Sequence, residues 1–152
     1  LVWSCIGYMI FMTVLNYPRV DLSDNWITRQ FAEEVLQEVP HQSLLFGHWV
    51  DLTPVEYLRV VEGQRPDIIL FDYSVYALRR FNELQANGYS KETTWQITKN
   101  EIYQVVDDHL ASGQQAFSLG ENEILENKYD QEPVSKWLHA ITPSNSYDGF
   151  LP

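Results

Sequence analysis

The chain has 152 residues, a size at which one domain buries roughly two thirds of the surface that its unfolded form exposes. Its formal net charge of -11, with 10 scattered Lys and Arg residues, argues against a surface that binds nucleic-acid phosphates. Cys5 is the single cysteine, so an intramolecular disulfide and a cysteine-based zinc site are excluded.

Residues 1–18 form an apolar segment without a charged side chain. Residues 1–15 supply about three quarters of the roughly 20 apolar residues that cross a bilayer, which favours the end of a transmembrane helix. A buried helix or strand of a soluble protein has much the same composition, so that interpretation stays open. A signal peptide fits less well because a basic region and a small-residue cleavage site are missing. No basic cluster follows the segment, which favours a membrane-anchored domain on the extracytoplasmic side.

The first soluble elements are a helix and a buried strand. Ser23, Asp24 or Asn25 is expected to cap the helix and Pro40 to end it. The short apolar run of residues 43–49 predicts a strand that is covered on both faces, as in a parallel sheet. The helix itself is predicted from apolar residues at spacings of three and four: Ile27, Phe31, Val35, Leu36 and Val39.

A second helix is predicted to begin at Thr53. Thr53 would cap it, Pro54 would take the first helical position, and Glu56 would return a hydrogen bond to the cap. Gly63 marks the region where this helix ends.

Three further elements complete a repeating pattern. Residues 67–73 predict a second buried strand, after which Ser74 is expected to cap a helix. Ser90 opens a longer helix that ends near Gly113, and residues 116–120 predict a third strand. Strand, helix, strand, helix, strand predicts right-handed crossovers and a parallel sheet. The predicted fold class is α/β, a small three-layer Rossmann-like unit that an apolar N-terminal helix precedes.

The acidic stretch 121–132 predicts a mostly exposed loop, and a short helix is expected around Val134 to Leu138. The predicted soluble domain spans residues 19–141. Residues 142–152, rich in Pro, Ser, Asn and Gly, predict an irregular tail.

Ligands of open parallel sheets bind beyond the carboxyl ends of the strands. The residues predicted at those ends form the candidate pocket: His48, Trp49, Asp51, Asp72, Tyr73 and Glu121. A structural explanation also exists for three of them, in which Asp51 caps a turn, Asp72 ends a strand and Trp49 belongs to the core. No catalytic residue is assigned from the sequence.

Familiar signatures are missing. The first strand-to-helix turn, residues 47–51, lacks the glycine spacing of dinucleotide-binding loops. Neither a P-loop nor a Gly-x-Ser-x-Gly elbow is present. The four histidines are widely spaced and form no metal-binding pair. No cofactor and no metal are therefore predicted.

Residues 21–26 (Asp-Leu-Ser-Asp-Asn-Trp) and above all residues 57–67 (Tyr-Leu-Arg-Val-Val-Glu-Gly-Gln-Arg-Pro-Asp) carry a family resemblance. Here the chain resembles bacterial multi-spanning membrane proteins that are glycosyltransferase-like, related to protein O-mannosyltransferases and largely of unknown function. The resemblance spans about residues 21–121. It implies that residues 1–18 end the last membrane helix and that a soluble α/β region follows.

The resemblance supplies no catalytic residue, because the catalytic carboxylates of such enzymes lie in an outer loop that has no counterpart here. It implies an extracytoplasmic C-terminal domain, noncatalytic alone, that binds a partner or an acceptor such as a glycan or a lipid-linked sugar. The alternative is a self-standing soluble α/β enzyme or small-ligand binder that uses the candidate pocket. Arg65-Pro66-Asp67 is expected to have a structural role, a stiff turn in which Arg65 pairs with an acid such as Glu62.

Overall fold

The computed structural model describes residues 26–144, together with Tyr8 and Met12. Residues 1–7, 9–11, 13–25 and 145–152 lie outside the described residues. They include most of the predicted N-terminal helix, the predicted cap residues 23–25 and the end of the predicted tail. Within the described part, no helix combines the length and apolarity needed to cross a bilayer. The elements in chain order are α1 (Ile27–Glu38), β1 (Leu44–Gly47), α2 (Trp49–Val60), β2 (Ile69–Asp72), α3 (Tyr73–Ala86), α4 (Lys91–Ala111), β3 (Ala116–Leu119), β4 (Tyr129–Pro133) and β5 (Leu138–Pro143).

The strands form one mixed sheet in the order β2-β1-β3-β5-β4. β1 pairs in parallel with β2 on one side and with β3 on the other, with Leu45 opposite Leu70 and Phe117. β5 pairs antiparallel with β3 and with β4. The predicted β-α-β-α-β unit and the α/β class are confirmed, and an antiparallel hairpin extends the sheet. The prediction that the second strand is buried is wrong, because β2 lies at an edge of the sheet and Ile69 is 48 % exposed.

The hairpin corrects the predictions for the acidic stretch and its neighbour. Residues 129–133 form β4 instead of a loop, and residues 134–137 form the turn into β5 instead of a helix. Tyr129 is buried whereas Asp130 and Glu132 are exposed, so the charged residues belong to the solvent side of an edge strand. Charge on an edge strand is common because it discourages pairing with other chains. β5 also continues through Pro143, into the part predicted as tail.

The prediction that α2 begins at Thr53 is wrong. α2 begins at Trp49, His48 is its cap residue, and Pro54 lies inside the helix. The Trp49 N–H donates to Ser74 Oγ at 3.2 Å, which satisfies one of the free N–H groups of the first turn. The earlier start is stabilised by tertiary packing, since Leu52 and Val55 are 3 % and 0 % exposed.

Helices cover both faces of the sheet, which gives the predicted three layers. α1 and α2 lie on one face, where Val35, Leu45 and Val55 are among the buried residues. α3 and α4 lie on the other, where Phe46 and Ile102 are buried with Tyr73 partly covered. The two helices of each face also contact each other, α1 with α2 and α3 with α4.

Gly47 ends β1 at a point of close packing. A Cβ atom added there would lie 3.0 Å from Leu52 Cγ and 3.2 Å from Leu119 Cδ1. The missing side chain therefore lets α2 and β3 approach the end of β1. This close approach fixes the position of the first turn of α2, and with it Trp49.

Gln131 holds the connection between β3 and β4. Its side chain accepts from the Asn122 N–H and donates to the Asn122 carbonyl, both at 2.9 Å. Ser118 Oγ lies 3.2 Å from Gln131 Oε1 and donates to the Gly120 carbonyl at 2.8 Å. The Gln131 amide thus satisfies the backbone N–H and carbonyl of Asn122, in the segment that follows β3.

Candidate functional site

The structure brings part of the predicted pocket together at the ends of β1 and β2. The His48 ring lies 5.9 Å from the Trp49 ring and 5.9 Å from the Tyr73 ring. Asp72 ends β2 beside them and is opposite Gly47 in the sheet. These four residues, His48, Trp49, Asp72 and Tyr73, are called the strand-end cluster below.

The polar groups of the strand-end cluster are largely used by the fold. Asp72 Oδ1 accepts from the Ser74 and Val75 N–H groups at 3.0 Å each and from Ser74 Oγ at 2.6 Å. Asp72, and not Ser74 as predicted, therefore caps α3. Tyr73 stacks on Phe46 at 4.9 Å with an interplanar angle of 9°.

The other two predicted pocket residues lie elsewhere. Asp51 is in the first turn of α2 and lines a groove of about 440 Å³ with Phe31 and Trp137. Glu121 lines a separate acidic depression of about 330 Å³ with Asp130 and Glu132. The six residues predicted to share one pocket therefore lie at three separate sites.

The largest of the three described cavities lies between α1 and α2. It is a groove of about 620 Å³, and its volume falls within the roughly 300–1,000 Å³ that is usual for small-ligand sites. Trp26, Trp49 and Tyr57 are 55 %, 52 % and 53 % exposed around it. We call it the aromatic groove; it is lined by Trp26, Thr28, Arg29, Trp49, Val50, Thr53, Pro54, Tyr57 and Leu58.

Sequence reasoning missed the aromatic groove, although a signal for it exists. Trp49, Thr53 and Tyr57 are four residues apart, the spacing that places side chains on one helix face. The face was missed because the helix was predicted to begin at Thr53, which left Trp49 outside it. The α1 side of the groove depends on the packing of α1 against α2, which no local pattern encodes.

Arg29 is the charged residue among those that line the aromatic groove. Its guanidinium donates to both carboxylate oxygens of Glu62, at 2.6 and 2.8 Å, and to Glu33 at 2.7 Å. These hydrogen bonds raise the pKa of Arg29 and lower that of Glu62. The guanidinium is also 5.8 Å from the Trp26 ring. Arg29 therefore connects α1 to the segment that follows α2 and supports one wall of the groove.

Arg65, in the connection between α2 and β2, has a structural role. It donates to the Leu36, Val39 and Pro40 carbonyls at 2.5, 2.9 and 3.1 Å, and to both carboxylate oxygens of Asp67 at 3.0 Å. The expected pairing of Arg65 with an acid is confirmed, but the acid is Asp67, because Glu62 binds Arg29. Arg65 also binds carbonyls at the end of α1 that lack a partner within the helix.

The displaced pKa values among the described residues belong to structural contacts. Hydrogen bonds from Arg65 hold the pKa of Asp67 well below its usual range. Hydrogen bonds from Arg80 lower the pKa of Glu101, which joins α3 to α4. Burial, followed by the hydrogen bond to Asp107, raises the pKa of Tyr129. Perturbed groups at a cleft indicate catalysis, but these groups hold the fold together.

In the described ranges, no group of three or more His, Cys, Asp and Glu side chains is arranged to hold a metal ion. No family model, no curated protein and no solved structure matches this chain. Its function is therefore inferred from its fold and from the geometry of the described residues.

Proposed function

We propose that this α/β domain is a noncatalytic binding module, the extracytoplasmic C-terminal domain of a membrane-attached glycosyltransferase-like protein. Its aromatic groove takes up the acceptor or partner of that protein. The single observation that carries the proposal is the groove itself, in which Trp26, Trp49 and Tyr57 stand half exposed around about 620 Å³.

Two features support binding at the groove. Three exposed aromatic rings at one opening provide large, rigid contact surface, which is the usual source of affinity at recognition sites. The groove also begins at Trp26, and the uncharged segment 1–18 precedes it by fewer than ten residues. If that segment anchors the domain, only a short stretch of chain separates Trp26 from the anchor.

The alternative is an enzyme or small-ligand binder that uses the strand-end cluster. The geometry favours it less, because Asp72 accepts three hydrogen bonds as a helix cap and Tyr73 stacks in the core. A general acid or base needs a carboxylate or imidazole that reaches the substrate. Asp72 is already engaged by its own helix.

Two experiments test the proposal. The first reads the coding sequence upstream of Leu1, where we expect further hydrophobic spans. An in-frame start codon within a few residues of Leu1, with no such spans, would contradict the membrane attachment.

The second experiment measures ligand-induced thermal stabilisation across a panel of sugars, nucleotides and peptides. A double variant, Trp26→Ala with Tyr57→Ala, changes the aromatic groove without touching the strand-end cluster and should lose the stabilisation that a bound ligand gives. The comparison variant, Asp72→Asn, should keep it, since Asn remains a good helix cap at this position. The opposite pattern would assign the site to the strand ends.

A further inference from the structure

The rings of the aromatic groove are not part of the packed core. Trp137 shows the contrast, since its ring packs on Phe31 at 4.9 Å and its indole N–H donates to Glu34 at 2.7 Å. Trp26, Trp49 and Tyr57 each leave about half of their surface to solvent at one opening. Clustered exposure of this kind marks a recognition surface.

The charges around the groove favour a neutral ligand. Both oxygens of Glu62 and one of Glu33 accept from Arg29, so its positive charge is neutralised in place. The chain as a whole has a net charge of -11. A phosphate or an acidic glycan would have to displace a carboxylate from Arg29 and approach a protein of like charge.

The groove also presents hydrogen-bonding groups beside its rings. Pro54 has no N–H, so the Val50 carbonyl, one turn earlier in α2, lacks the donor that a helix normally supplies. Thr53 Oγ1 donates to the Trp49 carbonyl at 2.6 Å, which leaves its lone pairs free to accept. Thr28 adds a second hydroxyl. An acyl chain would cover these groups without satisfying them.

From this combination we propose that the aromatic groove binds the rings of a neutral oligosaccharide. One face of a hexose ring is a row of C–H groups that stacks on an aromatic ring, while the hydroxyls at its edge both donate and accept hydrogen bonds. Trp49 and Tyr57 supply the stacking faces, and the Val50 carbonyl and Thr53 hydroxyl receive the sugar hydroxyls. This inference rests on the proposed function and specifies its ligand.

Ligand-observed NMR and calorimetry on the 152-residue chain provide the test. The probes are neutral gluco- and manno-oligosaccharides, an acidic oligogalacturonate, a proline-rich peptide and phosphatidylcholine vesicles. Trp49→Ala and Tyr57→Ala each remove one stacking face. Trp95→Ala is the matched control, because Trp95 is 39 % exposed but belongs to α4, on the opposite face of the sheet.

We expect a neutral oligosaccharide to bind, with each groove variant weakening the binding roughly three- to tenfold, as the loss of one aromatic contact predicts. Trp95→Ala should leave the affinity unchanged. Tyr57 lies about two turns after Trp49 in α2. Tyr57→Ala therefore tests binding at the groove even if Trp49→Ala does not fold.

The remaining outcomes contradict the inference in distinguishable ways. If the peptide or the vesicles bind through Tyr57 and no neutral sugar binds at about 10 mM, well above a millimolar dissociation constant, the ligand class is wrong and the proposed function stands. Preference for the acidic sugar would refute neutrality in the same way. If no probe responds to Trp49→Ala or Tyr57→Ala, both the ligand class and the proposed function fail.

Discussion

Replacement of Arg65 by alanine should destabilise the domain by about 2–4 kcal/mol, although Arg65 does not line the aromatic groove. Its guanidinium holds the Leu36, Val39 and Pro40 carbonyls and the Asp67 carboxylate. A hydrogen bond from a charged donor contributes roughly 1.5–3 kcal/mol. The side chain is 22 % exposed, so water replaces part of what is lost, and the bonds do not add independently.

Urea unfolding, followed by circular dichroism, measures this loss. The melting temperature should fall by about 6–12 °C for a chain of this size. Arg65→Lys should recover less than half of the loss, because an ammonium group cannot bind as a planar fork. Arg65 has a φ of 44°, so Arg65→Gly should be about 1 kcal/mol more stable than Arg65→Ala. The exposed Arg79 supplies the control, and an Arg65→Ala variant within about 0.5 kcal/mol of Arg79→Ala would refute the reasoning.

Three further predictions concern other contacts of the fold, made by Asp67, Gly47 and Gln131. The lowered pKa of Asp67 stabilises the fold above the unfolded-state pKa of about 4, and this contribution is lost as the pH falls. Asp67→Asn should therefore lower the free energy of unfolding most near neutral pH and progressively less below pH 4. A difference between variant and parent that stays constant as stability is measured at decreasing pH would contradict this. Gly47→Ala should cost about 1–3 kcal/mol in urea unfolding, because its Cβ meets Leu52 at 3.0 Å, and an unchanged midpoint would show that Leu52 moves freely. Gln131→Ala should cost about 1–3 kcal/mol and speed hydrogen exchange at the Asn122 N–H, which unchanged exchange would contradict.

The parallel part of the fold was predictable because its signals are local. The apolar runs that form β1, β2 and β3 are continuous, and residues such as Ser90 and Gly113 mark helix ends at the right places. The Ser90 side chain does accept from the Thr93 N–H at 3.1 Å. Where the cap, the helix period and the end signal agree, tertiary packing has nothing to override.

The hairpin and the start of α2 were not predictable in the same way. β4 has charged residues on its solvent side, and its inward residues Tyr129 and Gln131 are polar or amphipathic, so the stretch resembles a loop. It becomes a strand because β5 pairs with it and β3 covers the other edge of β5. For α2, the Thr53-Pro54 pattern is a common helix start, but the burial of Leu52 extends the helix to Trp49.

The candidate site shows the same limit more strongly. The ends of parallel strands were identified from topology, and His48, Trp49, Asp72 and Tyr73 do lie there. Which of their groups remain available depends on hydrogen bonds that form only in the folded chain. The aromatic groove depends further on how α1 packs beside α2. The local sequence pattern of either helix does not specify this contact.

The most direct test of the central claim is two-dimensional NMR of the 152-residue chain during titration with a bound ligand from the panel. Binding at the aromatic groove predicts that the indole N–H signals of Trp26 and Trp49 shift together, while that of Trp95 stays in place. Shifts that concentrate on the backbone amides of Asp72 and Tyr73, with unchanged Trp26, would move the site to the strand ends and contradict the claim.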